Sequence, residues 1–373
     1  MNIIIGGDMV PRENNISLFE EGNIEKIMGK ELKDIWNSSD YKVFNLEAPI
    51  TNCSQKIKKC GPNLKIAPKS IKGIKLMDPT VVFLSNNHIM DYGKNGLEDT
   101  INILEENNID YVGIGRNIKD IKKNYIIENE GLKIAIYNCC ETEFSVATNN
   151  YPGANPCDVL KIWEDIKNSK EKNNYVIIIY HGGKEHYRYP SPYLQKLCRK
   201  MTECGADLVV CQHSHCIGCY EVYKGRTIVY GQGNFIFDGQ DNEYWNTSLL
   251  IEIDLDNEFE IKYIPICKTE EGTRLANEKE RKKILDLFEK RSEYLKDNNF
   301  ITQNYREFSR KYVDNYLQSC HGDNLLYKIL NKICFHKLTK KMYSEESLLR
   351  ILNIVECEAH RELFIEGLKD RIN

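Results

Sequence analysis

The chain has 373 residues, of which 41% are hydrophobic and 28% charged, with a net charge of −4. These figures describe a soluble globular protein with a large core or two domains, and they exclude a disordered or fibrous chain. The slight acidic excess argues against nucleic-acid binding, and no apolar stretch is long enough for a transmembrane helix or a secretory leader, so a cytoplasmic protein, at most peripheral to a membrane, is expected.

In chain order, Asn2 to Gly7 reads as a first core strand. Further strands are expected at Tyr41 to Leu46, Thr80 to Ser85, Tyr111 to Gly113, Tyr175 to Tyr180 and Asp207 to Cys211. Between them, Ile16 to Trp36, Gly96 to Glu106, Asp158 to Lys170 and Tyr193 to Cys204 carry helical spacing. Strand and helix in alternation predict a layered α/β domain. After Cys211 the runs Gly218 to Tyr223, Thr227 to Tyr230, Ser248 to Asp254 and Glu260 to Pro265 predict consecutive antiparallel strands. From about Thr269 Lys/Glu-rich segments with apolar residues at three- and four-residue spacing take over. Residues 1–268 are therefore read as the α/β domain and 269–373 as a helical extension. His321, His336 and His360 in that extension have no acidic neighbours at ligand spacing.

The 14 cysteines are scattered, and reduced, mostly buried thiols are expected. Cys211, Cys216 and Cys219 flank two histidines and offer a structural zinc alternative, but a second Cys pair at finger-like spacing is missing. The Cys216–Cys219 pair does not open a helix after a first strand, so it is read as structural.

Polar, metal-binding residue types fall where strands end. Asp8 closes the first, after two glycines. Asn45 and Glu47 close the second and point alike. Asn86-Asn87-His88 end the third, His181 a fourth, and His213 and His215 a fifth. Alternate residues at a strand end face the same way, so both imidazoles of the H-x-H can approach one cluster. The carboxyl ends of strands in α/β sheets are also where ligands bind. Each residue alone has an ordinary reading as a cap, a turn residue or a core histidine. Together, two carboxylates, an Asn oxygen and three imidazoles make a donor set suited to Mn, Fe or Zn rather than Ca, large enough for two ions.

Taken in order, Gly7-Asp8, Asn45 to Pro49, Asn86 to Gly93, His181 to Glu185, His213 to His215 and Gly233 to Asp238 resemble the motifs of the bacterial capsule-synthesis CapA family, involved in poly-γ-glutamate capsule production. That family is in turn similar to calcineurin-like metallophosphoesterases. The resemblance covers roughly Met1 to Lys268 and implies a metallophosphoesterase-like layered α/β sandwich. It implies that Asp8 and His215 hold one divalent ion, that Asn87, His181 and His213 hold the other, and that Glu47 bridges them. His88 would be the catalytic histidine, with Asp91 beside it, while Asn45, Glu185 and Asn234 would support the ligands or touch substrate. Arg188, with Lys184 and Tyr187, is a candidate anion contact just beyond His181.

The chain also departs from those patterns. Asp8 is followed by Met9-Val10 where phosphoesterases carry Asp-x-His, so one metal lacks an imidazole and a one-metal site stays open. Cys211-Gln212 stands where Gly-His is usual. Three functions remain: a metal-dependent hydrolase of phosphate esters in capsule or poly-γ-glutamate biosynthesis, a non-catalytic assembly factor for an anionic polymer, and a metal-dependent γ-glutamyl amidase. All three imply an anionic small-molecule or polymer ligand, and oligomeric state is not legible. The basic run Lys56 to Lys59 is read as a solvated loop, and residues 52–68 and 141–156 show no mechanism-bearing motif.

Overall fold

Strands of β-branched residues build two sheets, because alternate side chains of each strand bury on opposite faces. The computed structural model describes residues 1–237, 242–256, 258–297, 299–320, 325–334, 338 and 342–372; Asp238, His321 and His336 lie outside them. In the first sheet β1 (Asn2–Val10), β2 (Tyr41–Leu46), β3 (Val81–Phe83) and β4 (Tyr111–Val112) run parallel. A short ribbon pairs β5 (Ile114–Gly115) with β8 (Gly153–Ala154). The second sheet contains β6 (Asn124–Asn129), β7 (Leu132–Cys140), β9 (Tyr175–His181), β10 (Leu208–Gln212), β11 (Tyr220–Tyr223) and β12 (Arg226–Tyr230), in the order β11-β12-β10-β9-β7-β6. The chain then returns to the first sheet. There β13 (Asn234–Phe237) pairs in parallel with the end of β1, and β14 (Thr247–Asp254), β15 (Glu260–Lys268) and β16 (Thr273–Leu275) add antiparallel strands.

The sheets pack face to face. Ile3, Ile5, Val43, Val81 and Phe83 meet Ile134, Ile136, Ile177, Ile179, Leu208 and Val210 in the middle layer. The alternate residues Ile4, Phe44 and Val82 turn outward beneath α1 (Ile16–Glu21), α2 (Ile24–Met28), α3 (Lys30–Ser38), α4 (Ile71–Leu76) and α5 (Gly93–Glu106), which supply Phe19, Ile27, Trp36, Ile74 and Leu97. On the far face Val176, Ile178 and Val209 pack under α6 (Ile162–Lys172) and α7 (Pro192–Glu203). The result is a four-layer helix–sheet–sheet–helix sandwich, each fully buried Val, Leu, Ile or Phe contributing about 1.5–3 kcal/mol.

Three expectations change. The single helix over Ile16 to Trp36 is three short ones, broken at Gly22 and Gly29, whose φ of 80° and 70° a continuing α-helix does not adopt. The hairpin of β6 and β7 is an addition to the expected strands: β7 is an apolar, largely buried run, while β6 is mostly exposed and gives little alternation to mark its partner. The extended runs after Cys211 are not one antiparallel series: β12 lies parallel to β10, and the later strands belong to the other sheet.

One compact unit spans Met1–Ile301 and a second Thr302–Asn373. The first includes α8 (Glu278–Glu293), which opens on an Asn277–Glu280 capping box and sets Ile284 and Phe288 against the middle layer. The second is made of helical segments, among them Leu325–Ile333, Glu345–Glu356 and Glu358–Ile372. No helix among the described residues is long and apolar enough to cross a membrane.

Candidate metal and catalytic site

Register delivers the polar strand ends to one place. Asp8 of β1 lies opposite Asn45 of β2 and Asn234 of β13, while His181 of β9 lies opposite Gln212 of β10, just before the H-x-H. The approach of β13 depends on Gly7: a Cβ there would stand 2.0 Å from the Gly233 carbonyl oxygen. Beyond β10 the backbone turns through positive φ at both His213 (84°) and His215 (52°).

Around these ends the expected donors converge. Asn45 Nδ2 donates to Asp8 Oδ1 at 2.7 Å and lies 3.2 Å from His181 Nδ1. Asn86 holds Asn45 in turn, donating from Nδ2 to its Oδ1 at 3.1 Å. His181 Nε2 stands 3.0 Å from Asn87 Oδ1 and 3.4 Å from Glu47 Oε1. On the other side His215 Nδ1 is 3.6 Å from Asp8 Oδ2 and donates to Asn234 Oδ1 at 2.8 Å. Ligand atoms of Glu47, His181 and His213 lie within 4.8 Å of one another, and so do those of Asp8, Glu47 and His215. The two triplets share Glu47. A third group joins Glu185 to His213 and His215, so this carboxylate stands at ligand range as well.

The electrostatics call for positive charge. Asp8 and Glu47 are both buried, and neither oxygen of Glu47 has a hydrogen-bond partner. Burial would raise the Asp8 pKa, yet the hydrogen bond and charge of His181, with His215 and Asn45, bring it down to about 2. Burial likewise disfavours the imidazolium of His181, but Glu47 and Asp8 push its pKa up to about 10. His213 is driven well below its ordinary value by burial and by the neighbouring imidazoles, which keeps it neutral, the form that ligates. A buried carboxylate with bare oxygens, set beside the neutral His213 and a second carboxylate, suits a divalent cation, which would take the place of the proton on His181.

His88 sits at the rim. Its Nδ1–H donates to Asp91 Oδ2 at 2.6 Å, and Asp91 Oδ2 also accepts from the Leu64 amide at 2.6 Å. The solvated reading of the 56–59 run fails at Lys59. That side chain is 3% exposed, and its Nζ lies 2.5 Å from Asp91 Oδ1 and 3.2 Å from His88 Nδ1. Arg188 points elsewhere, donating to the Ile217 carbonyl at 2.9 Å and covering the Tyr244 ring at 4.8 Å.

Sequence reasoning overlooked Glu141, His186 and Trp245. Glu141 Oε1 stands 3.8 Å from His213 Nε2, and its other oxygen accepts from the Gly183 amide at 3.2 Å. Trp245 packs on His215, with ring centroids 4.9 Å apart, and donates its indole N–H to His186 Nε2 at 2.9 Å. Glu141 had a signal, since it directly follows the apolar β7; the other two lie in loops without period. Cys211 and Cys219 belong to the apolar layer under α7.

Two face-to-face sheets between helices, with an oxygen and nitrogen donor cluster at their strand ends, define a metallophosphoesterase-like α/β sandwich. The chain is similar to the crystal structure of a novel phosphatase from Mycoplasma pneumoniae, with a TM-score of 0.45 and 15% identity, covering 72% of this chain and 93% of that one. Residues 2–239 match the family described as bacterial capsule synthesis protein PGA_cap, and the chain belongs to that family. It is 34% identical over 254 residues to the capsule biosynthesis protein CapA of Bacillus anthracis, covering 61% of each chain. It is also 34% identical over 213 residues to the PGA biosynthesis protein CapA of Bacillus subtilis strain 168, covering 56% of each. The chain thus spans about three fifths of the length of the curated relatives it matches.

Proposed function

We propose that this chain is a divalent-metal-dependent hydrolase of the phosphoester type that acts in the biosynthesis of a capsule polymer such as poly-γ-glutamate, the setting named by its Bacillus relatives. The observation that carries the reading is Glu47: a buried carboxylate with no hydrogen-bond partner, placed between the Asp8–His215 pair and the His181–His213 pair. Asp8, Glu47 and His215 would hold one ion, and Glu47, Asn87, His181 and His213 the other, with Mn, Fe and Zn suited to these donors. Bound there, the ions would supply Lewis-acid stabilisation of phosphoryl charge and an activated water.

The chain's own groups do the rest. Asn45 and Asn86 fix the Asp8 carboxylate, and the Asn234 oxygen fixes the ring of His215. Asp91 holds the Nδ1 proton of His88, which leaves Nε2 to carry the proton that the departing oxygen needs. The Trp245 and Phe237 rings packed on His215 keep water from that side. Elemental analysis of purified protein tests the reading, with stoichiometric metal expected in the wild type and loss in His213→Ala, followed by turnover of an aryl phosphate or phosphodiester. Absence of metal from the wild type sinks it.

One observation favours a second reading, a non-catalytic assembly factor for an anionic polymer: Val10, buried in the core, stands where phosphoesterases carry an imidazole. Such a protein would bind polymer with no metal-dependent turnover. Cleavage of γ-glutamyl peptides but not phosphates would point to an amidase.

A further inference from the structure

A second cavity, of about 430 Å³, opens between α8, the adjoining ends of β14, β15 and β16, and the loop after β9. Among the described residues five cations line it (Arg188, Lys268, Arg274, Lys283 and Arg291) against two carboxylates, Glu243 and Glu280. Neither carboxylate pairs with Arg291, and Arg188 meets only Glu243. Glu280 is held by Arg274 through two contacts of 2.8 Å and also caps α8. Glu243 is largely exposed and stands 3.8 Å from Arg188, too far for a hydrogen bond.

Two adjacent backbone carbonyls orient those guanidiniums. Arg188 Nη1 donates to Ile217 at 2.9 Å, and Arg291 Nε donates to Gly218 at 2.6 Å. Among the described residues no carboxylate lies within 4.0 Å of Arg291. Burial and the facing charge of Arg188 both lower its pKa, the mark of like charges brought together in a partly dry place. Each guanidinium has five N–H donors in a planar fork, of which the backbone takes one here. What remains is a paired set of donors matched to carboxylate oxygens.

A short series of packed rings lies between the cavity and the candidate metal site. Arg188 covers Tyr244, Tyr244 stacks on His186 with centroids 5.1 Å apart, and His186 lies 6.5 Å from His215. A chain carrying regularly spaced carboxylates could occupy both places at once. We infer that this cavity is a carboxylate-binding subsite, in which Arg188 and Arg291 grip acidic side groups of a polyanionic chain while another part of that chain lies at the cluster of Asp8, Glu47 and the histidines. The inference rests on the proposed function for the nature of the polymer, not for the existence of the subsite.

The test titrates the metal-free full chain with a fluorescently labelled γ-linked glutamate decamer, at low salt and at about 150 mM salt. Arg188→Gln and Arg291→Gln each weaken binding by at least about tenfold, the scale of one lost charge-assisted contact. Lys283→Glu, an exposed change at the rim that leaves the core intact, weakens binding and flattens its salt dependence; it carries the test if Arg291→Gln fails to fold. Wild type that ignores the decamer, or variants that bind it as wild type does, overturns the subsite. So does complete displacement of the decamer by millimolar inorganic phosphate, which would reassign the cavity to phosphate. Metal content and phosphoester turnover, measured on the same preparations, report separately on the proposed function.

Discussion

Replacing Lys59 by methionine keeps the apolar stem and removes the charge from a buried pair. Lys59 Nζ and Asp91 Oδ1 are 2.5 Å apart, with side chains 3% and 0% exposed. At an effective dielectric of about 20, unit charges at that distance attract by roughly 6–7 kcal/mol, much of which offsets the desolvation of both groups. Asp91 Oδ1 is buried with no hydrogen-bond partner, so Lys59 is the charge that compensates it; the variant removes that charge, and breaking such a pair costs about 3–5 kcal/mol. For a cooperative unit as large as Met1–Ile301, each kcal/mol lowers the melting temperature by about 2 °C, so a drop of about 6–10 °C is expected. Urea unfolding of metal-free protein followed by circular dichroism measures the free energy directly. The double variant Lys59→Met/Asp91→Asn should recover a good part of the loss, because the cost lies in the orphaned carboxylate. A loss below about 1 kcal/mol in Lys59→Met would show that water screens the pair, and the buried anchoring of the 52–64 loop would be wrong.

His88→Ala should retain metal and lose about 10²–10⁴-fold in turnover; full activity on a competent substrate would remove His88 from the reaction. Metal-free protein should lose about 2–3 kcal/mol as the pH falls from about 5 to about 1. The Asp8 pKa of about 2 lies below its unfolded value of about 3.9, so its contribution is present above the latter and lost on descending through the former. Asp8→Asn should flatten that acid limb, and an unchanged limb would place the perturbed carboxylate elsewhere. Gly7→Ala forces a Cβ to 2.0 Å from the Gly233 carbonyl oxygen, separating β1 from β13 at a cost of about 1–3 kcal/mol or more; wild-type stability would show that the two strands do not close so tightly.

The donor set was legible because its signal is local. An apolar run that stops at Asp8, at Glu47 or at His181 marks a strand end whatever the tertiary fold, and parallel register then lines such ends up. Pairing between distant segments left no such trace. Nothing in Gly233 to Phe237 says that it inserts beside β1 rather than continuing the sheet of β12, and its short apolar stretch was not read as a strand at all. Lys59 was misread for the same reason. Its neighbours Lys56 and Lys58 are exposed as a charge run should be, and only a loop folded back onto Asp91 makes the third lysine different. Arg188, chosen for its closeness to His181 in sequence, shows the converse: seven residues along the chain were enough to carry it around His186 and Tyr244 into another cavity.

The backbone at His213 and His215 holds a conformation that costs non-glycine residues about 1–3 kcal/mol each, and the rest of the sandwich sustains it. Sequence variation in this short loop is therefore pulled two ways. Selection for heat resistance alone would favour Asn or Gly at both positions, relieving the backbone while erasing the imidazoles. A thermostabilised descendant evolved without assaying the site should lose its histidines here first, so the loop offers an internal record of whether a lineage has kept using them.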